Sequence, residues 1–68
     1  MEALIVPDAD IWRAANLLIR EHGDDAEITA AKRAEEMLDQ GDSDGQLVWQ
    51  RIRRAVVELR ARPTGLMH

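Results

Sequence analysis

Apolar residues recur at helical spacing in three segments of the 68-residue chain, and a glycine follows each of the first two segments. A spacing of three and four residues places such side chains on one face of a helix. Glycine readily adopts the left-handed conformation that often ends a helix, so Gly23 and Gly41 mark the expected ends of two helices. The pattern predicts an all-α fold, a small three-helix domain with short glycine-containing turns.

The expected helix boundaries follow from capping residues. Asp8 is the predicted N-cap of the first helix, because its carboxylate can accept the free amide hydrogens of the first turn. Ser43 and Gln46 have the spacing of a capping box, which predicts the start of the third helix. The predicted organisation is an extended segment over 1–7, a three-helix domain over 8–62 with helices at about 8–22, 25–40 and 43–62, and a tail over 63–68.

Each predicted helix has one apolar face that is expected to form the core. In the first helix this face contains Ile11, Ala14, Ala15, Leu18 and Ile19. In the second it contains Ala26, Ala30, Ala34, Met37 and Leu38, with Ile28 and Ala31 to one side. In the third it contains Val48, Trp49, Ile52, Ala55, Val56 and Leu59.

The shortness of the chain and its lack of cysteine restrict how such a fold can be stabilised. A domain of this size buries only roughly 60% of its unfolded surface, so its core is marginal. Without cysteine there is no disulfide and no thiolate zinc site. Regular helix packing and a partner subunit remain, and a homo-oligomer, with a dimer favoured, or a complex with another protein is expected.

Charge is distributed unevenly, with a net charge of −8 over residues 1–46 and +4 over residues 47–68. The basic residues of the third helix lie on both flanks of its apolar face: Arg53 and Arg60 on one, and Arg51, Arg54 and Arg62 on the other. This distribution favours pairing with acidic residues of the neighbouring helices. The alternative is a small nucleic-acid-associated regulator in which these five arginines bind phosphates.

His22 and Glu27 are the best candidates for a polar pair, since they flank the turn at Gly23. A histidine beside a carboxylate can act as an acid–base pair or bind a metal. The preferred interpretation is structural, because each charge is favoured by the nearby helix end and the two together can hold the turn. The chain offers too few nucleophiles for a triad, so no enzyme activity, cofactor or metal is expected.

Trp12, Leu47 and Trp49 are the predicted interaction surface. Each tryptophan lies at the edge of an apolar face, and Leu47 lies outside the main face of the third helix. Tryptophan is common at protein interfaces because it buries a large ring and keeps one hydrogen-bond donor. Filling of the core is an equally good interpretation of the two tryptophans.

A further pattern consists of small, polar and aromatic residues at fixed spacing: the run Ala15–Gly23, then Ala26, Gly41, Asp42, Gly45, Trp49 and Ile52. Over residues 8–61 this pattern resembles a family of short bacterial proteins of unknown function. The resemblance implies a free-standing bacterial module and gives no mechanism. Since no apolar run approaches the ~20 residues of a membrane span and cysteine is absent, a cytoplasmic location without membrane contact is expected.

Overall fold

The computed structural model describes residues 6–61, and this part of the chain is helical with no strand. Helix α1 covers Asp8–His22, a single 3₁₀ turn covers Gly23–Asp25, α2 covers Ala26–Asp39 and α3 covers Ser43–Ala61. The prediction of an all-α fold is confirmed for the described residues. Most of the predicted N-terminal segment, Arg62 and the predicted tail over 63–68 lie outside them.

The junction between α1 and α2 differs from the loop expected there. Gly23 has the expected positive φ, at 56°, but the 3₁₀ turn continues directly into α2. Residues 8–39 therefore form one continuous helical stretch that changes direction at Gly23. The described chain thus consists of two helical stretches, 8–39 and 43–61, and the prediction of three helices separated by turns holds only for the second junction.

That second junction is a compact reversal in which Asp42, which lies between the two helices, helps to end α2 and to start α3. Gly41, at φ 78°, donates its N–H to the carbonyl of Leu38 (3.0 Å), and Asp42 donates its N–H to the carbonyl of Met37 (2.8 Å). These two bonds form a Schellman motif at the end of α2. The Oδ1 atom of Asp42 accepts the N–H of Gly45 at 2.9 Å, which caps the start of α3.

Both predicted helix caps are therefore wrong. Ser43 is the first residue of α3, and the capping side chain belongs to Asp42, one position earlier. Asp8 likewise lies inside α1, whose N-cap is Pro7 and has no side-chain cap bond. The carbonyl of Pro7 accepts the N–H groups of Asp10 and Ile11 at 3.0 and 3.2 Å. Asp8 does not cap α1 because its carboxylate points toward α3.

Helix α3 is the centre of the packing and contacts both other helices more extensively than they contact each other. Against α2 it runs antiparallel, since Glu27 of α2 lies beside Arg53, and Met37 lies near Gly45. Helix α1 covers the C-terminal half of α3. This arrangement leaves the first turns of α3 and the last turns of α2 in contact mainly with each other.

The core is built mostly of alanine. The buried residues are Ile11, Ala15, Ala26, Ala30, Ala34, Ile52, Ala55 and Val56, all from the predicted inner faces. Val56 is the largest side chain that is fully buried. Small residues let helices approach closely, so the described helices pack tightly around little side-chain volume.

Several large apolar side chains remain on the surface of this packed unit. They are Leu17 at 52% exposed, Ile28 at 57%, Leu38 at 55%, Leu47 at 59% and Val57 at 41%. The prediction that Leu38 belongs to the inner face is wrong: Met37 faces α3, and the next residue lies about 100° further around the helix. No helix of the described chain is both long and apolar enough to cross a bilayer.

Candidate functional site

Three of the arginines of α3 form ion pairs with acidic residues of the first helical stretch. The Nη2 atom of Arg51 lies 2.7 Å from Oδ1 of Asp8, and that of Arg53 lies 3.2 Å from Oε2 of Glu27. The pairing expected between the basic helix and its acidic neighbours is confirmed for these arginines and for the one that follows.

The third pair holds the turn between α1 and α2. The Nη2 atom of Arg60 donates to Oδ1 of Asp24 at 2.6 Å, and its Nη1 atom donates to the carbonyl of Gly23 at 3.3 Å. One guanidinium thus binds a carboxylate and a backbone carbonyl of the same turn. These ion pairs are solvent-exposed, and such pairs contribute at most about 1 kcal/mol each, so they add little stability and act mainly on how the first helical stretch, 8–39, is oriented on α3.

These contacts bear directly on the nucleic-acid hypothesis. A phosphate-binding surface requires cations that converge on one open face. Arg51 contacts α1, Arg53 contacts α2 and Arg60 contacts the turn between them, each with a carboxylate at the guanidinium. A phosphate group would have to displace those carboxylates. The arrangement therefore disfavours a nucleic-acid interface; Arg62, the fifth arginine of the hypothesis, lies outside the described residues.

Arg54 lines a small surface cleft between α1 and α3. The cleft has a volume of about 190 Å³ and is lined by Asp8, Ile11, Trp12, Arg51, Arg54, Ala55 and Glu58. Its two cationic side chains are matched by two carboxylates, and Asp8 already binds Arg51. The cleft thus contains balanced charge beside Trp12, and no nucleophile is among its lining residues.

The structure does not bring the three residues of the predicted interaction surface together. Trp12 and Trp49 are half-buried and pack against the core. Both rings therefore fill part of the core, in agreement with the core-filling interpretation. Trp49 also lies beneath Arg33 of α2, whose guanidinium carbon is 5.9 Å from the ring centroid, a cation–π geometry. Leu47, two positions before Trp49, points to the opposite side of α3 because two residues span about 200°.

The expected pair of His22 and Glu27 is not formed. His22 is exposed at the last position of α1, while Glu27 turns toward α3 and pairs with Arg53. The role proposed for that pair, to hold the turn, is performed by Arg60. Within residues 6–61 no group of three potential ligands is placed to hold a metal ion.

A row of three apolar residues and one glutamate lies on the outer side of α2 and was not predicted from the sequence. Ile28, Ala31, Glu35 and Leu38 follow one another at intervals of three, four and three residues, and we call this row the α2 seam. Ile28 and Leu38 are more than half exposed, Glu35 is exposed and Ala31 is half-buried. The signal was present in the sequence, where Ile28 and Ala31 lie beside the inner face, but the assignment of Leu38 to the core concealed it.

Comparison with known proteins adds no relative. No protein family matches the chain, and neither a curated protein nor a solved structure matches it. The resemblance to short bacterial proteins of unknown function therefore stays a prediction that rests on the residues alone.

Proposed function

We propose that this protein is a non-enzymatic helical interaction module of the cytoplasm that forms a homo-oligomer, most simply a dimer. One observation carries the proposal: the small apolar side chains are inside and many of the large ones are outside. Five of the eight buried residues are alanines, whereas five leucine, isoleucine and valine side chains are 41–59% exposed.

The free energy at stake is large for a chain of this size. Complete burial of one such side chain is worth about 1.5–3 kcal/mol, so each of these half-exposed residues leaves on the order of 1 kcal/mol unrealised. Domains have a total stability of only about 5–15 kcal/mol. Burial of these residues against a second copy would thus add a substantial fraction of that stability.

A structural role for the charged residues supports the same proposal. The charged groups brought together from different helices form ion pairs between helices, as in Arg51 with Asp8 and Arg53 with Glu27. Such pairs orient the helices and leave the exposed apolar residues as the surface with most to gain from a partner. Exposed apolar residues that share one helix face can mark an interaction site, and Ile28 and Leu38 share one face of α2.

Sedimentation equilibrium over a wide range of protein concentration tests the proposal. The expected result is a mass that rises from one chain toward two as concentration increases. The melting temperature should rise in parallel, because association stabilises the folded state by mass action. A mass of one chain at every concentration, together with a melting temperature independent of concentration, would rule the proposal out.

A further inference from the structure

The α2 seam has the geometry of a helix-pairing surface. Its four residues occupy positions that correspond to a, d, a and d of two heptads, the spacing that keeps one row of side chains facing a partner helix. Two of the five large exposed apolar residues, Ile28 and Leu38, lie at its ends, separated by Ala31 and Glu35. The small side chain of Ala31 permits close approach of another helix near the middle of the row.

Charged residues lie within one helical turn of every exposed large apolar residue, Ile28 and Leu38 included. One helical turn away from Leu17 lie two arginines and a glutamate, and one turn away from Leu47 lie an aspartate and an arginine. Val57 is flanked in the same way by three arginines. Leu47 and Val57 of α3 also lie ten positions apart in one row, but Gln50 and Arg54 stand between them, whereas the α2 seam has the small Ala31 and a carboxylate that a neighbouring lysine can pair with.

Glu35 decides the orientation in which a second copy fits this row. In a parallel pair, Glu35 would face Glu35 of the second copy, and two like charges would be buried together without compensation. In an antiparallel pair about a two-fold axis at the middle of the row, Glu35 faces Ala31 of the second copy. Ile28 then faces Leu38 at both ends, so the apolar residues meet each other.

The antiparallel pair also supplies a partner for the Glu35 carboxylate. Lys32 follows Ala31 directly and lies on the flank of the row, exposed to solvent. When Ala31 is opposite Glu35, the ammonium group of Lys32 comes within reach of that carboxylate, and its aliphatic stem covers the edge of the apolar contact. The two-fold axis produces this Lys32–Glu35 pair twice.

We propose that α2 pairs with α2 of a second copy in antiparallel orientation along the α2 seam. The proposal rests on the homo-oligomeric function proposed above and names its surface: Ile28 packs on Leu38, and Lys32 pairs with Glu35, each across the interface. The contact is isologous, as two-fold dimers require.

Cysteine cross-linking tests the pairing and its direction, because the natural chain contains no cysteine. The two single variants Ile28→Cys and Leu38→Cys are oxidised separately and as an equal mixture. Positions 28 and 38 lie about 15 Å apart along a helix, and a disulfide requires Cα atoms closer than about 7 Å. The mixture should therefore form a covalent heterodimer, whereas neither variant should cross-link with itself.

Each other result overturns the proposal in a distinguishable way. Cross-linking of each variant with itself would indicate a parallel pair. A natural chain that sediments as a dimer, with no cross-link in any sample, would leave the homo-oligomer standing and place its interface elsewhere. A natural chain that sediments as a monomer at every concentration would remove both the pairing and the function on which it rests.

Charge substitution gives a second readout with a matched control. Ile28→Lys should raise the dissociation constant of the dimer by about tenfold or more, since the substitution occurs twice in each interface. Leu17→Lys introduces the same charge at a residue of similar exposure on α1 and should leave the dissociation constant unchanged. Circular dichroism checks that both variants remain helical; equal weakening by the two variants would contradict the assignment of the interface to α2.

Discussion

At the residue scale, Asp42 links the end of one helix to the start of the next. Its N–H closes the Schellman motif of α2 on Met37, and its carboxylate caps α3 through Gly45. Gly45 makes this possible, because a Cβ at that position would lie 2.7 Å from Oδ2 of Asp42 and 2.8 Å from Sδ of Met37. The reversal between α2 and α3 thus depends on the identity of very few residues.

Replacement of the capping residue should show which side chain starts α3. Asp42→Ala is expected to lower the free energy of unfolding by about 1 kcal/mol, the usual loss for a removed N-cap. Ser43→Ala should change it by less than about 0.5 kcal/mol, because Ser43 is already inside the helix. Urea denaturation measures both, and a larger loss for Ser43→Ala would restore the capping box as the start of α3.

The left-handed backbone at Gly41 gives a second prediction at this scale. Gly41→Ala should lower the free energy of unfolding by about 1–2 kcal/mol, because its φ of 78° brings any Cβ close to the following carbonyl. Gly41→Asn should cost less, since asparagine tolerates this conformation better. No atom outside the turn lies within 4 Å of a Cβ built there, so equal losses for the two variants would argue against a backbone origin.

At the scale of the helices, the alanine contacts set the distance between α2 and α3. Ala30 is fully buried, and Ala30→Leu forces extra volume into a closely packed contact. The expected loss in free energy of unfolding is about 1–3 kcal/mol. Ala9→Leu, at an exposed position of α1, is the control and should be nearly neutral; thermal denaturation compares them, and tolerance of leucine at Ala30 would mean that the helices are not held close.

The elements were predictable from the sequence to the extent that they depend on local patterns. Helical periodicity and the glycines at 23 and 41 gave the three apolar faces, and every buried residue comes from them. The caps were not predictable, because Asp8, Asp42 and Ser43 all have side chains suited to an N-cap. The carboxylate of Asp8 is drawn to Arg51 of α3, which is a tertiary contact, whereas the choice of Asp42 over Ser43 depends on the exact residue at which the Schellman motif ends α2.

The sequence predicted that the arginines of α3 pair with acidic residues of neighbouring helices, but it did not predict which residues form each pair. A helical projection shows that the arginines of α3 border its apolar face, but it does not show which helix lies on which side. Glu27 therefore pairs with Arg53 of α3, 26 positions away in the chain, whereas the sequence favoured nearby His22. The exposure of Leu38 was missed for a related reason, since small differences in helix rotation decide whether a residue at the edge of a face is covered.

At the scale of the whole molecule, the net charge of −4 and the paired arginines predict how the protein behaves toward nucleic acid. The natural chain should show no detectable binding to duplex DNA at low salt in a gel-retardation assay. A triple variant, Asp8→Asn, Asp24→Asn and Glu27→Gln, removes the carboxylates from three arginines. It should gain weak binding that disappears as salt rises. Strong binding by the natural chain would return the arginines to the nucleic-acid hypothesis.

The alanine-rich interior has a consequence for how this molecule can change over time. Because small residues form most of the contact between the helices, the large exposed residues contribute little to the helix packing. Substitutions at those exposed positions should therefore leave the helical packing unchanged. If the exposed residues form the proposed dimer contact, the fold and that contact depend on separate sets of positions, and each can be altered while the other is kept.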